Sequence, residues 1–180
     1  MFFQNIEFYE TKDFQYLLIH KNACSSVLKC MDHLSPVLTQ EKATDKIKWT
    51  VIRDPYERFM SGLNYDLKRH NVDFKNINLE KLFYEKINIY SRPDGHVNHC
   101  ISQFSYIINA DINYYVHIND LDIFFKMHFN KSEFLNKDSE EDNIILEKKD
   151  VMKYLNFDYY MYNSIINSNN LWRWQNGKIF

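Results

Sequence analysis

Residues 16–28 read YLLIHKNACSSVL. An apolar run reaches His20, a lysine follows, then small and hydroxyl-bearing residues, then apolar positions at helical spacing. Residues 14–20 read as a buried strand. Val27, Leu28, Met31 and Leu34 recur at three- to four-residue intervals, which predicts a helix over residues 24–34. The unpaired N–H groups at the start of such a helix carry partial positive charge, so an anion fits there. Lys21 adds a full charge, Ser25 and Ser26 add hydroxyl donors, and Ala23 and Cys24 are small enough for a phosphate to approach. The glycines and the Gly-Lys-Ser/Thr of a Walker loop, whose hydroxyl holds Mg²⁺, are missing. A phosphate-bearing ligand without a metal needs none of them.

A second junction lies at residues 47–54, IKWTVIRD, a β-branched and aromatic strand that ends in charge. Asp54 can cap the next helix, Pro55 suits its first position, and Glu57 sits three residues after the cap. Tyr56, Phe59, Met60, Leu63 and Leu67 mark the buried face, which leaves Arg58 as a surface or salt-bridging residue. Capping does not account for Arg53 at the strand's end together with Ser61 two turns into the helix. Arg53 can grip a phosphate with two N–H groups, and Ser61 offers a hydroxyl.

Further helices are expected over residues 79–88, 99–108, 120–128, 147–155 and 159–166, and a third strand over 113–118. Residues 35–46 and 130–143 read as polar loops, SRPDG as a break, and the tail as aromatic and basic. Tyr56, Tyr65, Tyr106, Trp172 and Trp174 can stack on sugar or adenine, although core packing accounts for most aromatics of this kind. Strands alternating with helices predict one α/β domain over residues 1–180, an open and mostly parallel sheet with helices on both faces. Ligands of such sheets bind at the carboxyl ends of the strands, where both junctions fall.

The 180 residues suffice for one core burying ~70% of the unfolded surface. With 45% apolar and 17% aromatic residues the chain is globular rather than disordered. A net charge of −2 gives no overall field for nucleic acid, so anion binding has to be local. Three cysteines suit reduced thiols in the cytoplasm better than a disulfide framework. Neither a signal peptide nor a membrane span is expected. His96, His99 and Cys100 lack the partner pair a zinc site requires, so no metal is expected. Cys24 as a phosphatase nucleophile would need an arginine five residues later, where Lys29 stands.

HKNACSS resembles the first cofactor loop of sulfotransferases that use 3′-phosphoadenosine 5′-phosphosulfate (PAPS). It is most similar to the Pro-Lys-x-Ala-Cys-Thr-Asn loop of the carbohydrate enzymes of chondroitin 4-O and HNK-1 type, with His20 in place of proline and serines in place of Thr-Asn. Arg53, Asp54, Pro55, Arg58 and Ser61 resemble the family's Arg-Asp-Pro-x-x-Arg-x-x-Ser, which binds the 3′-phosphate. Looser likeness continues in His99 and Gln103 (His-x-x-x-Gln), in Asn119, Asp120 and Leu121, and in Asp158, Tyr159 and Tyr162, so it spans nearly the whole chain.

The resemblance implies a three-layer P-loop-like fold and a metal-free PAPS site built from Lys21, Asn22, Ala23, Cys24, Ser25, Ser26, Arg53 and Ser61. It implies in-line sulfuryl transfer to a hydroxyl acceptor, with the Ala-Cys loop pointing to a carbohydrate. Lys21 would stabilise the leaving phosphate, and His99, or else His96, would act as general base, with His20 a third candidate. The alternative is a catalytically inactive protein of the same fold that binds a partner or adenosine phosphates.

Overall fold

A computed structural model describes residues 6–70, 99, 102–131, 145–173, 175 and 177. Its strands are β1 (Phe8–Glu10), β2 (Phe14–Leu17), β3 (Val37–Thr39), β4 (Ile47–Ile52) and β5 (Tyr114–His117). Its helices are α1 (Cys24–Met31), α2 (Pro55–His70), α3 (Phe104–Ile107), α4 (Leu121–Phe129), α5 (Lys148–Met152) and α6 (Asn156–Ile166). A turn of 3₁₀ helix over Asp32–Leu34 carries α1 to the expected end of its helix. The helix expected over residues 79–88, the SRPDG break, most of the 130–143 loop, and His96, Cys100, Trp174 and Lys178 lie outside the described residues.

The protein is α/β, with a mixed five-stranded sheet in the order β3-β1-β2-β4-β5 and helices flanking it. β2 pairs parallel with β4 and β4 with β5, whereas β1 is antiparallel to both β2 and β3. The antiparallel edge departs from the sequence reading, which saw no strand before residue 14 and a loop over 35–46. A tight turn makes β1 possible: Thr11 N–H donates to the Phe14 carbonyl at 2.9 Å, and the Thr11 hydroxyl accepts from Phe14 N–H at 3.3 Å. Val37 and Leu38 of β3 are 67% and 52% exposed, so β3 is held by pairing with β1 rather than by burial. Past β5, Tyr115 N–H donates to Asn170 O at 2.9 Å and Trp172 N–H to Tyr115 O at 2.8 Å, a short parallel bridge that brings the tail onto the sheet.

Alternation along the strands distributes the core. Phe14, Tyr16, Leu18, Trp49, Val51 and Val116 pack with α1 and α4, while Leu17, Ile19 and Ile52 pack with α3 and α6. Trp49, fully buried, has its ring 4.8 Å from both Tyr16 and Phe124, and each such side chain stabilises the fold by roughly 2–3 kcal/mol. A third cluster joins Phe59, Met60, Leu63 and Leu67 of α2, four of the five positions expected on its inner face, to Val151 and Leu155. Trp172 and Tyr106 are also buried, as core aromatics. Among the described residues no helix is long and apolar enough to cross a membrane.

Candidate functional site

β2 and β4 run parallel as neighbours, so the loops that follow them leave the same edge of the sheet. Between β2 and α1 the chain turns through two left-handed residues, Lys21 (φ 66°) and Ala23 (φ 58°). A loop without glycine thus makes a turn that glycine would make without strain. Asn22, fully buried between them, fixes it: its Nδ2 donates to Val51 O at 2.7 Å and to Gln103 Oε1 at 2.9 Å. Its Oδ1 is buried with no donor among the described residues. α1 begins at Cys24 with no side-chain cap and no acid in its first turn, so its N-terminal positive charge is uncompensated. Ser25 is exposed, Cys24 half-buried, and Ser26 buried at 1% exposure.

Across the edge, Arg53 follows β4. Its Nη1 donates to Lys21 O and its Nε to Glu57, both at 3.4 Å. Its backbone is gripped by the Gln103 side chain, which donates to Arg53 O at 2.7 Å and accepts from Arg53 N–H at 3.4 Å. Gln103 therefore ties the loop after β2 to the end of β4. A surface position for Arg58 is corrected: it is 2% exposed, and its Nε donates to His20 O at 3.1 Å. Seen from α2, Arg58 braces the loop from beneath. Ser61 lies on the same helix, partly exposed.

One turn beyond Ser61, Tyr65 and Asp66 complete the cluster. Lys21 Nζ sits 3.5 Å from the centroid of the Tyr65 ring, and the His99 ring meets the same ring edge-on at 4.6 Å. His99 Nδ1 is 2.6 Å from Asp66 Oδ1, and both residues are buried. The His20 ring stands edge-on to His99 at 5.4 Å. Burial, followed by the charges of His99, Arg58 and Lys21, lowers the His20 pKa to about 4, so at neutral pH it is uncharged and a weak base. Lys21, His20, His99 and Arg53 thus gather at one strand edge; His96 is outside the described residues.

The residues of the looser likeness also meet this edge. Asp54 caps α2, accepting from Tyr56 N–H at 2.9 Å and Glu57 N–H at 3.1 Å, as its spacing predicts. Tyr159 donates to Asp54 at 3.2 Å, Tyr162 lies 2.8 Å from His117 Nε2, and buried Asp158 accepts from Ser102 at 2.6 Å and from Phe104 N–H at 3.2 Å. Asp66 was missed by the sequence reading, and so was the inward course of Asn22. Asp66 did leave a signal: it stands three residues after Leu63 and seven after Phe59, an acid inside an apolar stripe. Asn22 left none.

Comparison with protein-family models, curated proteins and solved structures found no match to this chain.

Proposed function

We propose that the protein is a PAPS-dependent sulfotransferase acting on a hydroxyl acceptor, a carbohydrate in the first instance. The observation that carries this reading is the Arg53 guanidinium reaching the Lys21 carbonyl, which joins the two motif-bearing junctions at one edge of the sheet. The uncapped start of α1 with Lys21 suits the 5′-phosphosulfate, and Arg53 with Ser61 suits the 3′-phosphate. In the same reading β2, β4 and β5 form the parallel core of a three-layer P-loop-like fold, and β1 and β3 are an antiparallel addition at its edge.

The donor supplies an activated sulfuryl group; the chain supplies position and charge. Lys21 and the α1 N-terminus stabilise negative charge on the departing phosphate oxygen. His99 is better placed than His20 to take the acceptor's proton, because a carboxylate orients it and His20 is held weakly basic. No residue in this scheme requires a metal ion.

Calorimetric titration with adenosine 3′,5′-bisphosphate, beside Arg53→Ala, tests the reading. Binding should weaken ten- to a hundredfold in the variant, the loss of about 1.5–3 kcal/mol expected for hydrogen bonds to a charged group. Folded wild-type protein that ignores the nucleotide would rule the reading out. Binding without transfer of labelled sulfate to any hydroxyl would instead support an inactive adenosine-phosphate binder of the same fold.

A further inference from the structure

The contact between Asp66 and His99 joins α2 to a residue 33 positions later, and nothing in the cofactor motifs requires it. Asp66 is 5% exposed and His99 9%, so the contact is shielded from water. At 2.6 Å it is a short, charge-assisted hydrogen bond. The carboxylate accepts, so the proton between them sits on Nδ1; in the neutral imidazole the other nitrogen then carries a lone pair. His99 Nε2 has no hydrogen-bond partner among the described residues.

We propose that Asp66 is a positioning residue that fixes the His99 proton on Nδ1 and leaves Nε2 as the proton acceptor of the site. The proposal rests on the sulfotransferase reading for the reaction it serves. The acceptor O–H gives its proton to Nε2 as its oxygen bonds to sulfur. The bond from sulfur to the phosphate oxygen breaks, and its electron pair leaves with adenosine 3′,5′-bisphosphate. His99 becomes an imidazolium beside the Asp66 carboxylate and returns the proton to water.

The other groups facing His99 are fixed in kind. Tyr65 on α2 presents its ring, His20 presents an uncharged imidazole, and Lys21 Nζ lies over the Tyr65 ring. Arg58, below, donates to the His20 carbonyl. Among the described residues Asp66 is therefore the one carboxylate in contact with the His99 ring.

The test is Asp66→Asn in the full chain, with His99→Gln as reference. Imidazole ¹⁵N NMR should show His99 in the Nδ1-protonated tautomer in the wild type and a changed tautomer population in Asp66→Asn. Turnover should fall about a hundredfold or more in kcat with KM for PAPS little changed, as for loss of a general base. Asp66→Glu should restore part of it. An unaltered His99 tautomer population in a folded Asp66→Asn protein would overturn the proposal whatever the turnover. A wild-type protein that fails to bind adenosine 3′,5′-bisphosphate while Asp66→Asn still changes the His99 tautomer would overturn the sulfotransferase reading and uphold the placement of the proton.

Discussion

Asn22 and Gln103, 81 residues apart, meet side chain to side chain at 2.9 Å beneath the loop that follows β2. The orientation of the Asn22 amide follows from its surroundings. Turned over, its oxygen would face the Val51 carbonyl and Gln103 Oε1, two acceptors, so nitrogen has to point there. Gln103 spends its remaining capacity on the backbone of Arg53. Two amides thus set the separation of the two junctions after β2 and β4.

This pair should be strongly coupled. Asn22→Ala and Gln103→Ala should each destabilise the fold by about 2 kcal/mol, since each leaves buried backbone or side-chain groups without partners. A double-mutant cycle by urea unfolding should return an interaction of roughly 1 kcal/mol or more. Strict additivity would mean that the contact carries no weight.

Arg58 should behave as a core residue. Arg58→Met keeps much of the volume but removes the donor to the His20 carbonyl, and the loss should be about 2–4 kcal/mol. Lys149→Met, at an exposed helical position, should change stability by less than about 0.5 kcal/mol. Equal midpoints for the two variants would return Arg58 to the surface.

The loop without glycine should tolerate one. At Ala23, φ is 58°, where a Cβ costs roughly 1 kcal/mol, so Ala23→Gly should be neutral or stabilising by up to about that amount. Ala23→Val should be clearly destabilising. Thermal melts of the two variants check this, and a destabilised glycine variant would contradict the left-handed turn.

Lys21 should act on the transfer more than on binding. Lys21→Met should lower kcat by about a hundredfold, the scale of losing one charge-stabilising group at a departing oxygen, with a smaller loss of nucleotide affinity than Arg53→Ala. Equal losses in affinity and in kcat/KM would make Lys21 a binding group only.

His20 should make stability depend on pH on the acid side. Its folded pKa is about 4 against an ordinary 6.5, chiefly through burial, with His99, Arg58 and Lys21 adding to the shift and Asp66 opposing it. Between those values the unfolded chain binds a proton that the folded chain refuses. Stability is therefore full above pH 6.5, falls as pH drops toward 4, and levels off below. Urea midpoints of His20→Asn should lack this part of the slope, on the order of 3 kcal/mol over the window. Parallel curves for wild type and variant would show that His20 is not held uncharged.

The sequence by itself determined what local rules govern. Apolar spacing placed α1, β4 and α2, and Asp54 with Pro55 set the start of α2 to the residue, because caps and periodicity involve neighbours within one turn. The order of charges at the two junctions was legible for the same reason. Only the tertiary structure decided the rest. β3 is a strand because β1 lies beside it, although its own residues are exposed. Arg58 is buried because the loop crosses α2 above it, Asn22 turns inward because Gln103 arrives from far along the chain, and Asp66 faces His99 rather than solvent. Each of these depends on a partner distant in sequence. Such contacts form only once the sheet brings the ends of β2 and β4 together; periodicity turns Asp66 inward but names none of these partners.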